Sequence, residues 1–262
     1  MIELYLNGKS GKMGETIISL IKKNQRFNLT GNLSIADVVI DFSHPDSTKK
    51  IIEETLEKNV PLVIGTTGLN NEILDNMNKA SIKIPIIQAA NMSIGVHQLK
   101  ESIKKFVIEN KNKVNCYIEE IHHVKKLDKP SGTAVEIEKL IKRIDRENNI
   151  DIVEISSIRK DDINGIHTVT FVYKDISYIF KHNATSRDIF ATGALNCAEK
   201  IINLQPKLYS FEDIVKKHKP LKIIKFSIEY TNFKHEDSIV CKVGCFKKYA
   251  LLKESENNPK GE

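Results

Sequence analysis

The sequence predicts an α/β protein: a doubly wound, parallel, Rossmann-like sheet followed by a second, smaller α+β open-sheet domain. Three observations predict it. Up to residue 88, short apolar runs of strand composition alternate with stretches of helical periodicity. Several of these runs end in glycine, small or polar residues, as strands do at the ligand-binding edge of a doubly wound sheet. Beyond about residue 150, strand-like runs follow one another without intervening helices, the mark of an open sheet.

The first element is the apolar run from Ile2 to Leu6, a strand. It meets Gly8, Lys9, Ser10, Gly11, Lys12, Met13 and Gly14, after which Ile17, Ile18, Leu20 and Ile21 repeat at helical spacing. Strand, glycine turn and helix form the setting of a dinucleotide-binding loop, in which the backbone approaches the pyrophosphate and the helix N-terminus favours its charge. The spacing is G-x-x-G-x-x-G rather than G-x-G-x-x-G, so a plain glycine turn stays open on this segment alone. A second strand is placed at residues 27–30. The sequence after it, Leu29-Thr30-Gly31-Asn32-Leu33, lacks the carboxylate that often takes the ribose hydroxyls, which leaves NADH and NADPH both open. Asn32 suits either form, and Lys9 and Lys12 are near enough in sequence to meet a 2′-phosphate.

Residues 36–43 form a nearly continuous β run, as expected for a parallel strand buried on both faces. A helix follows at 47–56, then a strand at 61–64 running into Gly65, Thr66, Thr67 and Gly68. A helix at 71–79 leads to a strand at 84–88 that ends in Ala89, Ala90, Asn91, Met92 and Ser93. Three such loops in the right order make the cofactor reading far stronger than the first loop alone.

From residue 96 to 109 the pattern is helical, and 114–121 alternates as a strand. That strand delivers the densest chemistry in the chain, residues 120–134: Glu120, His122, His123, Lys125, Lys126, Asp128 and Lys129, then Pro130-Ser131-Gly132-Thr133-Ala134 opening a helix to 144. Imidazoles titrate near neutral pH, Lys126 suits an anion, and a helix start offers N–H groups to carboxylates. His122 and His123, adjacent on a strand, face opposite sides and so take different jobs. Strands at 153–159, 167–173 and 177–182 and a helix at 188–203 complete the second part. His44, His97, His167, His182, His218 and His235 read as structural or surface groups.

Composition bounds the rest. The 262 residues are ample for a real core. The absence of Trp and the abundance of Lys, Asn and Ile read as codon bias. Residues 216–262 hold eleven Lys against six Asp or Glu, +5 of the total +6, so residues 1–215 carry only +1. A body so nearly neutral predicts no nucleic-acid partner. The four cysteines, Cys116, Cys197, Cys241 and Cys245, are scattered without a disulfide or zinc pattern, so buried thiols and no metal are expected. No apolar run reaches the length of a membrane helix, and the start of the chain has no signal-peptide pattern. The expectation is a cytoplasmic protein with no membrane partner.

In order along the chain, residues 8–14, 38–43, 65–68, 89–95, the string His-His-x-x-Lys-x-Asp-x-Pro-Ser-Gly-Thr-Ala from His122, Gly165-x-His167 and residues 182–194 resemble the dihydrodipicolinate reductase (4-hydroxy-tetrahydrodipicolinate reductase) family. The resemblance runs to about residue 215, and the string is specific to it. It implies NADH- or NADPH-dependent reduction of a cyclic dicarboxylate to tetrahydrodipicolinate with loss of water, in lysine and diaminopimelate synthesis. By position, His122 would be the proton donor and acceptor, and Lys126 would donate a proton or stabilise charge. His123, Gly132 and Thr133 would hold the substrate carboxylates. Gly8, Lys9, Ser10, Gly11, Lys12, Met13, Gly65, Thr66, Thr67, Ala89, Ala90, Asn91 and Met92 would line the cofactor, with Arg187 and Phe190 from the returning helix. The resemblance also implies a homo-oligomer, a homotetramer. The pattern of elements divides the chain into a dinucleotide-binding domain from 1–93 with about 186–215, a substrate-binding and catalytic domain at 94–185, and an extension at 216–262.

Three departures stand out. Asp161 occupies a place where the family usually has Gly, and Ile179 one often taken by Glu. The chain also continues about fifty residues further, with alternation at 224–231 and 239–246 that reads as a hairpin around a polar turn, and a disordered end at 253–262. Two other classes stay open: another nicotinamide dehydrogenase on a similar plan, against which the histidine pair and the Pro-Ser-Gly-Thr start count, and a non-catalytic nucleotide-binding protein.

Overall fold

The computed structural model describes residues 1–23, 25–215, 230–233 and 236–242. Its first sheet contains β1 (Ile2–Asn7), β2 (Phe27–Thr30), β3 (Val38–Asp41), β4 (Leu62–Ile64), β5 (Pro85–Gln88) and β10 (Lys207–Ser210). All six are parallel, in the spatial order β10-β5-β4-β3-β1-β2. The chain leaves β1 for β2 on one side and returns to β3 on the other. The crevice between the carboxyl ends of β1 and β3 is therefore the switch point at which such sheets take ligands.

Both faces of this sheet are covered, which is why β3 is apolar from Val38 to Ile40 before it ends in Asp41. Val38 and Ile40 pack toward α1 (Lys12–Lys23) and α6 (Asp188–Ile201), while Val39 packs toward α2 (Pro45–Lys58) and α3 (Asn71–Ala80). All three are fully buried. Each such side chain contributes roughly 1.5–3 kcal/mol, so this strand is the axis of the core. The helix starts follow from local chemistry: Asn70 caps α3 by accepting from Ile73 N, and Pro45 sits in the first turn of α2.

The second sheet contains β6 (Val114–His122), β7 (Ile150–Arg159), β8 (Ile166–Tyr173), β9 (Ile176–Asn183), β11 (Tyr230–Phe233) and β12 (Glu236–Lys242) in the order β11-β12-β9-β8-β6-β7. β8 runs antiparallel to β6 and β9, whereas β7 lies parallel to β6 and β12 parallel to β9. One face is covered by α4 (Ile94–Glu109) and α5 (Gly132–Ile144). The alternation of β6 puts Val114, Cys116, Ile118, Glu120 and His122 on the covered side and leaves Tyr117 and Glu119 exposed on the other. Glu120 and His122 thus share the buried face.

The order of elements agrees with the expectation through residue 201. Residues 207–215, however, contribute an edge strand of the first sheet, β10, and a short helix, α7 (Phe211–Val215), which the pattern does not announce. Four residues are too few for periodicity to register. The expected hairpin is present as β11 and β12, paired antiparallel from Tyr230↔Ile239 to Phe233↔Glu236. The remainder of its expected strands at 224–229 and 243–246, the end at 253–262, His218, His235 and Cys245 lie outside the described residues. Cys116 and Cys197 are free and buried, one in each half, and burial pushes both thiols up to about 12.

A half-buried ion cluster ties the halves together. Lys100 on α4 meets Glu136 on α5 and, at 3.1 Å, Glu212 on α7. Burial pulls the Lys100 ammonium down, but the two carboxylates outweigh it and hold it above its ordinary range. Reciprocally, Lys100 offsets the burial of Glu212 and holds that carboxyl low.

Gly8 marks the turn after β1 with φ +87, and a Cβ there would lie 2.1 Å from the carbonyl oxygen of Phe42. Gly8→Ala combines left-handed strain with backbone overlap and should lower the unfolding free energy by about 2 kcal/mol or more. Urea denaturation checks this; an unchanged midpoint would mean the turn is not held against β3.

Candidate active site

The site begins with a buried carboxylate. Glu120, fully buried on β6, accepts from His122 Nδ1 two residues along the same face. Its other oxygen accepts from Arg159 Nη1 at 2.9 Å and from Ser131 N at 3.3 Å. Burial alone would raise the Glu120 carboxyl, but hydrogen bonds from Ser157, His122 and Arg159 outweigh it and hold it ionised, below the usual range. Since the carboxylate takes Nδ1–H, the free nitrogen of His122 is Nε2, the tautomer set by the partner.

Nε2 of His122 faces Gly165, where a Cβ would stand 2.9 Å away; that glycine has φ +153. The loop from 160 to 165 is stitched back to the end of β6. Lys160 N donates to His122 O, His123 N to Ile163 O and Val124 N to Asp161 O. Asp161 adopts φ +49, so the glycine-type position is met by a residue that tolerates the left-handed region better than most.

The histidine pair separates as expected. His122 is buried beside Glu120, and His123 is half-buried amid cations. Burial lowers the His122 imidazole, the Glu120 hydrogen bond and charge oppose this, and Lys126 and Arg159 lower it further; the net shift is downward. His123 is lowered by burial, then by Arg187, Lys12 and Lys126. Its Nδ1 has no partner among the described residues. Lys126 Nζ lies 2.7 Å from Asp128, whose other oxygen accepts from Gly132 N at 3.3 Å. Burial raises Asp128, but Lys126 and the Gly132 N–H outweigh it.

Ser131 caps α5 by accepting from Ala134 N, and its hydroxyl lies 3.2 Å from His167 Nε2. His167 is buried, with its ring 5.1 Å from that of His122. The α5 start rests on the loop after β5. A Cβ on Gly132 would stand 2.9 Å from Ala90 Cβ, and Asn91 Nδ2 donates to Thr133 Oγ1 at 3.1 Å. The residues expected to hold substrate therefore touch those expected to line the cofactor.

On the cofactor side, Gly8, Lys9, Ser10, Gly11, Lys12 and Met13 follow β1, Gly65, Thr66 and Thr67 follow β4, and Ala89, Ala90, Asn91 and Met92 follow β5, all at one edge of the sheet. Two side chains are committed elsewhere. Met92 is buried in the core of the first sheet, and the Thr66 hydroxyl donates to Asp41. Lys12 and Arg187 converge on Asp162 of the 160–165 loop, at 3.0 and 3.5 Å. Phe190, half-buried, follows in the first turn of α6.

Glu120, Arg159 and His167 are participants that the sequence reading left without a role. Arg159 lies 39 residues from its carboxylate partner in sequence, and only strand pairing joins them. The one available signal was the two-residue spacing of Glu120 and His122 on an alternating strand.

Family models described as "Dihydrodipicolinate reductase, N-terminus" and "Dihydrodipicolinate reductase, C-terminus" match residues 32–92 and 95–215. The 4-hydroxy-tetrahydrodipicolinate reductase of Rickettsia rickettsii is 36% identical over 239 residues, covering 82% of this chain and 100% of that protein. The reductase of the same name from Caldanaerobacter subterraneus subsp. tengcongensis is 33% identical over 252 residues, covering 83% and 99%. Among solved structures, a dipicolinate-bound dihydrodipicolinate reductase from Paenisporosarcina sp. TG-14 aligns with a TM-score of 0.64 at 20% identity, over 80% of this chain and 97% of that one. An amine dehydrogenase from Mycobacterium smegmatis aligns at 0.55 and 7% identity, over 80% and 95%. These two structures speak to the fold alone.

His167, His122, His182 and His123 all sit below the ordinary imidazole value of 6.5, chiefly through burial. The unfolded chain takes up these protons near 6.5 while the folded one resists. Stability is thus full above that value and is lost as pH falls through it toward the folded values. The unfolding free energy should drop as pH goes from 7.5 to 5.5, by up to about 1.4 kcal/mol per pH unit for each such histidine. His167→Asn should flatten that slope; a urea midpoint independent of pH would contradict the buried, neutral assignment.

Proposed function

The chain belongs to the dihydrodipicolinate reductase family, and from that premise we propose which of its residues carry the reaction. That reaction is the NADH- or NADPH-dependent reduction of 4-hydroxy-tetrahydrodipicolinate to tetrahydrodipicolinate with loss of water, in lysine and diaminopimelate synthesis. The bound nicotinamide supplies the hydride. This chain must supply a proton, charge stabilisation for a dicarboxylate and a site from which water is excluded.

The observation that carries the assignment is the Glu120–His122 pair. With Nδ1 held by a buried carboxylate, His122 takes up and delivers its proton at Nε2, and the carboxylate stabilises the imidazolium that this requires. Lys126 stabilises developing charge or hands on a proton from the loop that Arg159 pins through the carbonyls of Lys126 and Asp128. His123, Gly132 and Thr133 hold the carboxylates, with a half-buried imidazole among three cations and a helix N-terminus as the recognition chemistry.

The residues fit a dinucleotide. The Gly8 turn packs so tightly on the backbone of Phe42 that no side chain fits there, and α1 begins four residues later. Residues 1–93 with about 186–215 form the cofactor domain, residues 94–185 the substrate and catalytic domain, and 216–262 an extension. We assign a cytoplasmic location, as for a biosynthetic enzyme, and a homotetramer, supported by the face of the second sheet that the described residues leave open at Tyr117 and Ile158.

His122→Ala should lower kcat by about 10²–10⁴ with little change in cofactor affinity, and Lys126→Ala should damage both kcat and the KM of the dicarboxylate. Oxidation of NADH and NADPH, followed with freshly made product of the preceding synthase, measures both. A His122→Ala enzyme within a few-fold of wild type would remove the proton-donor assignment. Light scattering should give four times the chain mass, and truncation after residue 215 separates a tail needed for assembly from one needed for turnover.

A further inference from the structure

Asp41 ends β3 and is the register partner of Asn7, the last residue of β1, at the switch point of the first sheet. It is fully buried, yet no cation pairs with it among the described residues. Four neutral donors meet it instead. Asn7 Nδ2 at 2.8 Å and Ser43 Oγ at 2.5 Å reach Oδ1, while Thr48 Oγ1 at 2.6 Å and Thr66 Oγ1 at 2.8 Å reach Oδ2. A carboxylate offers about four lone-pair sites, and here all are filled.

Saturation has a geometric consequence. An ionised carboxylate only accepts, so every partner must turn its hydrogen toward it. The Thr66 hydroxyl, having donated to Asp41, accepts from Ser43 N at 3.0 Å. Asn7 continues the network to Ser47 on α2 at 2.9 Å. One charge therefore sets the spacing of three loops: the turn at Gly8 through Asn7, the loop after β3 through Ser43, and the loop after β4 through Thr66. Burying an unpaired charge costs several kcal/mol unless its acceptor sites are met. A loop that moved away would strand the carboxylate, so the three loops are held as a unit.

We propose that Asp41 is a positioning residue for the nicotinamide dinucleotide, its carboxylate holding the loops at Gly8 and Gly65 at the separation the cofactor needs. This rests on the reading that those loops carry the cofactor. Its effect falls on cofactor affinity, while the proton chemistry at His122 is built on the other sheet.

The test is cofactor binding without turnover, by titrating nicotinamide fluorescence, beside steady-state kinetics on the same full-length preparations. Asp41→Asn turns one acceptor into a donor facing donors. It should raise the Kd for both NADH and NADPH about ten-fold, with kcat at saturating cofactor and the KM of the dicarboxylate within about three-fold. Thr48→Val, which removes a donor to Asp41 from outside the cofactor loops, should give a smaller rise and Thr48→Ser, which keeps the hydroxyl, near wild-type binding; this pair decides the matter if Asp41→Asn does not fold. Wild-type Kd values with only a lowered melting temperature would overturn the proposal, as would a loss confined to kcat. Gly11→Ala separates the two readings, because a Cβ there meets nothing closer than Gly8 O at 3.4 Å and folding should survive. If that methyl leaves Kd unchanged, the cofactor-loop reading fails; if it raises Kd while the Asp41 and Thr48 variants do not, only this proposal fails.

Discussion

A carboxylate sealed inside a β-sheet must find donors for all its acceptor sites or it will not stay ionised. Glu120 meets that demand with the His122 ring, the Arg159 guanidinium and the Ser131 N–H. These donors, with Ser157 beside Arg159, come from three elements: its own strand, the parallel neighbour β7, and the cap of α5. Removing the charge would release the imidazole tautomer, the position of Arg159 and the start of α5 together. Arg159 in turn fixes the carbonyls of the Lys126 loop. The chemistry of the second sheet is thus a consequence of one charge balance.

Polar contacts join the two halves. Asn91 reaches Thr133, Lys12 and Arg187 share Asp162, and Lys100 bridges two helices of one half to α7 of the other. The Lys12–Asp162 pair is exposed and worth little by itself. The Lys100 cluster is half-buried, so it is screened less than that surface pair. The stronger of these joints therefore lies at α7 and the weaker at the 160–165 loop.

Much of this was legible in the chain. Period-two and helical patterns placed the strands and helices through residue 201 because both faces of the first sheet, and one face of the second, are buried. The loops after β1, β4 and β5 were readable from glycine and small residues, and the string from His122 to Ala134 announced a site. What was hidden depends on non-local pairing. His167 looked structural until β8 paired with β6 and set its ring against His122. Arg159 is one of many cations until β7 lies beside β6. Strand β10 is too short for its pattern to speak, and Asp161 was a departure until its left-handed backbone supplied the reason.

The two buried thiols have a use that has nothing to do with catalysis. Cys116 lies in the core of the second sheet and Cys197 in that of the first. With each thiol pushed up to about 12, the thiolate fraction at pH 7 is on the order of one part in 10⁵. Neither sulfur can be alkylated at an ordinary rate while its core stays closed. Their labelling rates therefore act as a pair of built-in clocks, one per half, that count openings of each core separately. Whether the halves breathe together or apart becomes a question that mass spectrometry of two peptides can answer.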